Sequence, residues 1–321
     1  MSTMKAVVID ETGEADVLRL AEVARPTRVN AEFVVKVVAA GVNPIDVKTR
    51  SGKGVSSQIP SWPAILGNDL SGIVVESPFE SHPLKPGDEV YGMTMVPRIA
   101  GAYAEYAAVP AMFLARKPRA LSHVEAAGVP LAALTAWGAV VDVAKAHEGQ
   151  RILIHAGAGG VGHFAVQFAS FFGGHVIATG SPRNEDWLRD LGAREFVDYT
   201  ATRFEDVVSN ADVVIDLIGN AADDTGSRSL AALKPGGLIV TVPTGSWPTM
   251  TEEATAAGMR STGFRVSPDG STLAVISRLL DSGDVRVFVD QVFELEDAAA
   301  AHRALESGHT RGKVVLKVSD G

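Results

Sequence analysis

The chain contains no cysteine among its 321 residues. Disulfide bonds and thiolate-ligated metal sites are therefore excluded. Long apolar runs are absent as well: no uncharged window reaches the roughly 18 residues that a membrane-spanning helix needs, so we expect no such helix. The N-terminal segment also lacks the apolar stretch of about 7–15 residues that marks a signal peptide, and we expect a cytoplasmic location.

Basic residues are outnumbered: 29 Lys and Arg stand against 38 Asp and Glu, which gives a formal net charge of −9. The sequence has no run of basic residues, so we expect no nucleic-acid partner and no attraction to anionic membranes. Glycine is plentiful at 32 residues, and 46% of the chain is hydrophobic. These values are ordinary for a globular protein with a large core, and the length fits two domains.

The first 110 residues are rich in short apolar runs, which predict strands at MKAVVI, FVVKVVAAGV, LSGIVVES, DEVYGM and YAEYAAV. One short helix is predicted from Asn43 to Arg50. Asn43 suits the N-cap, Pro44 suits the first helical position, and Asp46 falls in the first turn.

From about residue 120 the pattern changes. HVEAAGVPLAALTAWGAVVDVAKA predicts helices that are interrupted at Gly128 and Pro130. Strands and helices then alternate from RILIHA to GLIVTV, and continuously apolar strands in such an alternation predict a parallel, doubly wound sheet. The tail after residue 264 alternates helix and strand, ending in KVVLKV, and we expect it to complete the N-terminal domain.

The strongest local signal is a glycine-rich turn between the predicted strand RILIHA and the helix that follows. Glycines at 157, 159 and 162 have the spacing that binds a dinucleotide pyrophosphate at a helix N-terminus. The alternative is a glycine-rich turn that binds no ligand. The cofactor-binding residues predicted here are Gly157, Ala158, Gly159, Gly160, Val161 and Gly162.

The end of the next strand, HVIAT, distinguishes between two dinucleotides. NAD sites carry an acid there, whereas this chain has none, so we predict NADPH with Ser181 and Arg183 donating to its 2′-phosphate. The alternative role of Ser181 is to N-cap the helix that begins near Pro182. Glu185 and Asp186 lie close in sequence and would repel a phosphate unless they point away.

Several motifs occur in a characteristic order: GVNPIDVKTRSG, ILGNDLSGIVVE, PGDEVYGM, GAYAEYAAV, PLAALTAWGAV, AGAGGVG and RGKVVL. Over nearly its full length the chain resembles the medium-chain dehydrogenase/reductase superfamily, in its zinc-free quinone oxidoreductase branch. The resemblance implies an α/β fold with a Rossmann sheet plus a β-rich GroES-like domain. It places the GroES-like substrate domain at residues 1–122, completed by 265–321, and the NADP-binding domain at 123–264. It also implies a homodimer.

Zinc-dependent members of the superfamily have metal ligands where this chain has Asn43, Asn68 and Leu131. An amide is a poor zinc ligand and a leucine is none. The stretch between Tyr91 and Gly101 is also too short for a structural zinc lobe. The resemblance therefore implies hydride transfer from NADPH, without a metal, to a substrate already activated by conjugation, such as a quinone or an α,β-unsaturated carbonyl compound.

By the same resemblance, Asn43 and Asp46 lie near the nicotinamide and substrate, with Lys48 as a further cation. The structural alternative is that Asn43 and Asp46 cap the short helix reciprocally. Asn68 either faces the substrate or makes a hydrogen bond at a strand end. Further cofactor-binding residues implied by the resemblance are Thr135, Tyr199, Val242, Thr244, Phe264, Val266 and Lys313.

Lys313 has two interpretations: it reaches a phosphate, or it is a solvated charge at the start of a strand. Two other functions stay open from the sequence. One is an enoyl-thioester reductase of fatty-acid or polyketide metabolism, and the other is a non-catalytic NADPH-binding protein.

Overall fold

The computed structural model describes residues 2–95 and 101–321, so part of the stretch between Tyr91 and Gly101 lies outside the described residues. The chain divides into two compact units, Met1–Leu134 with Ser267–Gly321, and Thr135–Val266. The sequence analysis set the boundaries at 122/123 and 264/265, and the assignment of a substrate domain and a cofactor domain to these segments stays a prediction. In the described part of the chain, every helix is too short or too polar to cross a bilayer.

The strands, in chain order, are β1 (Thr3–Ile9), β2 (Arg19–Ala24), β3 (Glu32–Val42), β4 (Ala64–Ile65), β5 (Asp69–Glu76), β6 (Glu89–Met93), β7 (Tyr106–Pro110), β8 (Leu114–Arg116), β9 (Arg151–Ile154), β10 (His175–Gly180), β11 (Glu195–Asp198), β12 (Ala211–Asp216), β13 (Leu233–Thr241), β14 (Arg260–Gly263), β15 (Val289–Glu294) and β16 (Lys313–Lys317). The α-helices are α1 (Pro44–Arg50), α2 (His123–Ala127), α3 (Pro130–Trp137), α4 (Gly162–Phe171), α5 (Glu185–Asp190), α6 (Phe204–Val207), α7 (Thr225–Ser229), α8 (Met250–Ala256), α9 (Gly270–Ser282) and α10 (Ala298–Glu306). A π-helix, Gly138–Val143, follows α3 directly.

The unit Thr135–Val266 is built on a parallel sheet with strand order β11-β10-β9-β12-β13-β14. Its central strand β9 is fully buried at Ile152, Leu153 and Ile154, as the continuous apolar run predicts. Counted from β9, the order is 3-2-1-4-5-6, the arrangement of a dinucleotide-binding Rossmann sheet. In such a sheet the ligand site lies at the carboxyl ends of the strands.

The other unit is rich in antiparallel β structure. One sheet has the order β15-β16-β3-β5-β6-β8, with β7 also pairing β3, and a second sheet has the order β2-β1-β4. Strand β16 pairs antiparallel to the end of β3, with Val314 opposite Val42. The last strand of the chain therefore lies beside the segment that leads into α1. The fold class, a Rossmann sheet with a separate GroES-like β domain, is confirmed.

Most predicted elements are present, and the helix at Asn43–Arg50 is confirmed as α1. The strand predicted at RILIHA ends earlier, at Ile154, because His155 and Ala156 already belong to the turn that follows. Strand β14 was missed. Its sequence, RSTG, contains no apolar residue, and it forms at the sheet edge by backbone pairing to β13 alone.

Helices α1 and α10 are joined by an ion pair from opposite ends of the chain. Arg50 is 1% exposed, and its Nη2 lies 2.6 Å from Oε1 of Glu306. Its Nη1 lies 3.4 Å from Oε2 of the same carboxylate, so the contact is bidentate. A guanidinium taken out of water in this way depends on its carboxylate partner.

We expect Glu306→Ala to lower the free energy of unfolding by about 1–3 kcal/mol, measured by urea denaturation. A fully buried pair would cost about 3–5 kcal/mol, and the 36% exposure of Glu306 reduces that value. Glu296→Ala is the matched control, since Glu296 is exposed and has no ion pair within the described residues. Equal effects of the two substitutions would show that the pair does not stabilise the fold.

Candidate active site

The predicted phosphate loop connects β9 to α4 at the carboxyl edge of the parallel sheet. Ala156 adopts a positive φ of 50°, which turns the chain sharply after the strand. The Gly157 N–H donates to Thr179 O at 3.0 Å, and the Gly159 N–H donates to Ala156 O at 2.9 Å. These bonds fix the loop against the neighbouring strand β10.

Close packing requires one of the loop glycines and leaves little space at another. A Cβ atom on Gly162 would lie 2.1 Å from Ala156 O, which backbone atoms cannot accommodate. A Cβ atom on Gly157 would lie 3.1 Å from the Cβ of Ala178 on β10. The close approach of helix to strand that the glycine spacing predicts is therefore present in the structure.

The loop also leaves hydrogen-bond donors unused. Within the described residues, the backbone N–H groups of Gly160 and Val161 donate to no protein acceptor. They directly precede Gly162, the first residue of α4, where the helix dipole favours negative charge. These groups fit the pyrophosphate of a dinucleotide.

A directed chain of hydrogen bonds supports the loop from beneath. Ser229 Oγ donates to Thr225 O at 2.6 Å, so it accepts from His155 Nε2 at 2.9 Å. His155 Nδ1 must then accept from the Thr179 hydroxyl at 3.3 Å, and the same hydroxyl accepts the Ala156 N–H at 3.2 Å. Burial lowers the pKa of His155 to about 3, which keeps the ring neutral and this tautomer in place.

Strand β10 ends at Gly180, and no carboxylate occupies that end. Ser181 follows in extended backbone and is half-buried, while Arg183 is exposed. The Glu185 carboxylate, which could repel a phosphate, accepts hydrogen bonds from the Arg189 guanidinium at 2.8 and 3.0 Å. Neither a strand-end carboxylate nor an unpaired Glu185 therefore opposes a phosphate beside Ser181 and Arg183.

The other predicted cofactor residues of this unit follow neighbouring strands. Tyr199 follows β11 and is 60% exposed. Val242 follows β13, and its N–H donates to Asp216 O at 2.9 Å. Thr244 is exposed, and Val266 is half-buried. The carboxyl ends of parallel strands share one edge, so the topology brings these residues to the edge that carries the phosphate loop.

Phe264 and Thr135 lie elsewhere in the same unit. The ring of Phe264 occupies the space above Gly138, since a Cβ atom there would lie 2.0 Å from Phe264 Cζ. Gly138 opens the π-helix, a feature that is frequent at functional sites. Thr135, one turn earlier on α3, is buried. Whether the predicted residues of this unit bind the cofactor stays a prediction.

The β-rich unit contains a buried polar cluster formed by Asn43, Asp69 and Lys313. Asn43 Nδ2 donates to Asp69 Oδ2 at 2.9 Å, and the Lys313 ammonium donates to Asn43 Oδ1. Lys313 Nζ also donates to Val42 O at 3.3 Å and lies 3.9 Å from Asp69 Oδ2. Three acceptors thus face the three N–H groups of the ammonium.

Lys313 is 3% exposed, so the interpretation as a solvated charge is wrong. Its position at the start of β16, opposite the end of β3, turns it inward rather than to solvent. The expectation that it reaches a phosphate stays a prediction, and in the structure its ammonium is bonded to protein acceptors. Burial lowers the pKa of Lys313, and the nearby Asp69 and Asp46 carboxylates oppose that shift.

Asp46 supports the cluster from α1. Its Oδ2 accepts the backbone N–H of Asn43 at 2.9 Å, the capping bond that the sequence predicts. Burial raises the pKa of Asp46 to about 7, and repulsion from Asp69 adds to the shift. Burial also raises the pKa of Asp69 to about 6, against the opposing effects of Lys313, Asn43 and the Leu131 N–H. Lys48, on the same helix, is exposed.

The three positions that the family resemblance matches to zinc ligands, Asn43, Asn68 and Leu131, lie beside Asp69 in space or in sequence. The Leu131 backbone N–H donates to Asp69 Oδ1 at 2.9 Å, while Asn43 binds the other oxygen. Asn68 precedes Asp69 and is 2% exposed, and within the described residues its side chain makes no hydrogen bond. Among residues 2–95 and 101–321, no three His, Asp or Glu side chains are grouped to hold a metal ion.

The sequence analysis missed two buried residues beside this cluster. The hydroxyl of Tyr103 lies 3.2 Å from His302 Nε2, and Tyr103 also interacts with Asp46. Burial lowers the pKa of His302 to about 3 and raises that of Tyr103. Their only sequence signal was a polar residue within an apolar pattern, at GAYAEY and AAAAHRAL, which core packing equally explains.

Family models match both units. One described as "Alcohol dehydrogenase GroES-like domain" matches residues 30–119, and one described as "Zinc-binding dehydrogenase" matches residues 191–316. The chain is 35% identical to NAD(P)H oxidoreductase RTN4IP1, mitochondrial, of Danio rerio, across 99% of this chain and 92% of that protein. It is also 35% identical to the chloroplastic NADPH-dependent alkenal/one oxidoreductase of Arabidopsis thaliana, across 98% of this chain and 79% of that protein.

Solved structures resemble the chain over its whole length. The quinone oxidoreductase from Coxiella burnetii superposes with a TM-score of 0.93 at 37% identity, covering 99% of this chain and 100% of that one. The Escherichia coli quinone oxidoreductase complexed with NADPH superposes with a TM-score of 0.87 at 28% identity, again covering 99% and 100%.

The raised pKa of Asp46 predicts a specific pH dependence of stability. The folded state holds the proton up to about pH 7, whereas the unfolded chain releases it near 3.8. The contribution of the protonated Asp46 carboxyl to the stability of the folded state is therefore fully present below pH 3.8 and is lost as the pH rises through 7. We expect the stability of Asp46→Asn, relative to wild type, to increase by about 1–3 kcal/mol between pH 4 and 7.5.

Urea denaturation of the two proteins across this range measures the difference. His302 also contributes to the pH dependence of stability, and its lowered pKa makes stability rise with pH, opposite to the effect of Asp46. Both proteins contain His302, so its contribution cancels when the two stabilities are subtracted. A difference that does not change with pH would mean that Asp46 is ionised throughout.

Proposed function

We propose that this chain, which belongs to the medium-chain dehydrogenase/reductase superfamily and to its quinone oxidoreductase-like branch, reduces quinones or α,β-unsaturated carbonyl compounds with NADPH. The observation that carries the proposal is full-length similarity, at 35–37% identity, to reductases named for these two substrate classes. A metal-free site suits such substrates because conjugation already activates them toward hydride.

The Rossmann unit supplies the cofactor site in this proposal. The unused N–H groups of Gly160 and Val161 would bind the pyrophosphate, and Ser181 and Arg183 would bind the 2′-phosphate. Tyr199 lies at the next strand end, where it would cover the adenosine side. NADPH, when bound, supplies the hydride.

The β-rich unit supplies a fixed arrangement of polar groups. Reduction places negative charge on the substrate oxygen, so donors held in position stabilise the transition state. Asn43 keeps one amide N–H beyond the one given to Asp69, and it is held through its backbone by Asp46 and through Oδ1 by Lys313. We assign Asn43 to the reacting oxygen, Asp46 and Lys313 to positioning, and no role to the exposed Lys48.

Asn68 is the second donor in this proposal. The Asn68 atom that is buried without a partner is Oδ1, an acceptor. Within the described residues the Nδ2 group makes no hydrogen bond either, so its N–H donors stay available for a ligand or water. Thr94 fixes the backbone beside it, since the Thr94 hydroxyl donates to the carbonyl oxygens of Gly67 and Asn68 at 3.2 and 3.1 Å. A rigidly placed amide that gains its partner only with substrate is suited to bind the carbonyl oxygen.

A cytoplasmic location and a homodimer also belong to this proposal. The family resemblance supports the homodimer. The relatives from Danio rerio and Arabidopsis thaliana are named as mitochondrial and chloroplastic.

Oxidation of NADPH, followed at 340 nm with a set of acceptors, tests the function. We expect turnover with phenanthrenequinone or with methyl vinyl ketone, and no loss of rate after treatment with EDTA. A clear preference for crotonyl-coenzyme A would support the enoyl-thioester reductase instead. Binding of NADPH without turnover of any acceptor would support the non-catalytic protein, and inhibition by EDTA would contradict the metal-free chemistry.

We expect Asn68→Leu to lower kcat/KM for the acceptor about tenfold or more, because an oxyanion donor is lost, while the Kd for NADPH stays unchanged. Asn30→Ala is the matched control, since Asn30 is an exposed amide of the same unit. An unchanged kcat/KM, or an equal rise in the Kd for NADPH, would remove Asn68 from the substrate site.

A further inference from the structure

A buried amide stands behind the serine that ends strand β10. Asn184 is 5% exposed, and its Nδ2 donates to the hydroxyl oxygen of Ser181 at 3.0 Å. The Asn184 backbone N–H also donates to Ser181 O at 2.9 Å, which closes the turn Pro182–Asn184. Ser181 is thus held by its neighbour through both its backbone and its side chain.

The direction of this hydrogen bond determines what Ser181 can still bind. A serine hydroxyl has one proton to donate and two lone pairs to accept with. Asn184 uses a lone pair, and within the described residues the Ser181 proton has no protein acceptor. Ser181 is half-buried rather than enclosed, so its proton is directed outward as a donor.

The opposite orientation of the amide is less favourable. Asn184 Oδ1 is buried and has no hydrogen-bond partner. In the present orientation Nδ2 gives one N–H to Ser181 and Oδ1 has no partner. Exchanging the amide oxygen and nitrogen would leave both N–H groups without an acceptor, so a second unsatisfied N–H would replace one unsatisfied oxygen. It would also make Ser181 donate inward, leaving no donor at the strand end. Hydrogen bonding therefore favours the orientation that presents Ser181 as a donor.

Two of the acids near this strand end have partners of their own. The Glu185 carboxylate binds Arg189, and Asp198 Oδ1 at the end of β11 accepts from the N–H and hydroxyl of Thr200 at 2.9 and 2.7 Å. Asp186 is exposed to solvent and has no protein partner within the described residues. The engagement of Glu185 and Asp198 reduces their repulsion of a phosphate beside Ser181.

We propose that Asn184 is a positioning residue that sets the preference for NADPH over NADH by holding the Ser181 hydroxyl as a donor to the 2′-phosphate. The proposal rests on the proposed function, which supplies the dinucleotide. The bond to a doubly charged phosphate is charge-assisted, whereas a ribose hydroxyl offers only a neutral acceptor. Loss of the orientation therefore affects NADPH more than NADH.

Fluorescence titration of the full-length protein with NADPH and with NADH tests this. We expect Asn184→Ala and Ser181→Ala each to raise the Kd for NADPH about three- to tenfold and the Kd for NADH less than about twofold. The double variant should equal Ser181→Ala alone, because Asn184 acts only through that hydroxyl. Gln150→Ala is the matched control: Gln150 is a buried amide at the opposite end of β9 and should leave both constants unchanged.

Equal changes for the two dinucleotides, or additive effects in the double variant, would overturn the proposal. If Asn184→Ala fails to fold, the uncharged Asn184→Leu decides: it keeps a similar volume but removes the donor to Ser181, and selective loss of NADPH supports the role. No selective loss with Asn184→Leu overturns it. Wild-type protein that binds neither dinucleotide would defeat the proposed function itself, whereas binding of both with no effect at Asn184 defeats only this inference.

Discussion

The β-rich unit depends on the burial of one lysine with one carboxylate. Lys313 and Asp69 are both almost fully buried, and their charged groups lie 3.9 Å apart with Asn43 between them. Removing such charges from water is expensive, and hydrogen bonds to nearly every free N–H and oxygen make it tolerable. The constraint joins the end of β3, the start of β5 and the start of β16, so it favours the observed register of the last strand, which places Lys313 beside Asn43 and Asp69.

The same constraint explains how a member of a superfamily with zinc enzymes organises its site from amides. The Asp69 carboxylate accepts the Asn43 side chain on one oxygen and the Leu131 N–H on the other, and the family resemblance matches both positions to metal ligands of zinc-dependent members. An ordered hydrogen-bond network can thus orient the surrounding chain. In the proposed function it supplies positioning and donors, and a conjugated substrate accepts hydride without a Lewis acid.

The sequence predicts the Rossmann side well because its signals are local. The loop between Gly157 and Gly162 lies between one strand and one helix, and its spacing, its context and the missing acid after β10 are all readable within about 30 residues. Strand β14 could not be predicted because its signal is not local. The sequence RSTG has no hydrophobic periodicity, and the segment is a strand because it pairs with β13.

Side chains in the β-rich unit were harder to place. The local sequence around Lys313 predicts a surface charge at the start of a strand. The residue is buried because β16 brings it next to Asn43, some 270 positions away in the chain. Asn68 is similar, because whether an amide at a strand end is satisfied depends on neighbours that local pattern does not specify. Helix capping by Asn43 and Asp46 was predictable, yet the cap also positions Asn43 in the network. The structural and functional interpretations of that pair are therefore compatible.

The phosphate loop and the polar cluster follow one physical rule, namely that direction is fixed by hydrogen-bond valence. Ser229 can donate only once, which fixes the tautomer of His155 and directs the Thr179 proton to His155 Nδ1. The lone pairs of the Thr179 hydroxyl stay free to accept the Ala156 N–H, which holds the loop in its positive-φ turn. Because His155 stays neutral down to about pH 3, the chain of donors does not reverse in ordinary conditions. The backbone N–H groups of the loop are therefore pre-organised in the absence of cofactor, and cofactor binding does not carry the free-energy cost of ordering them.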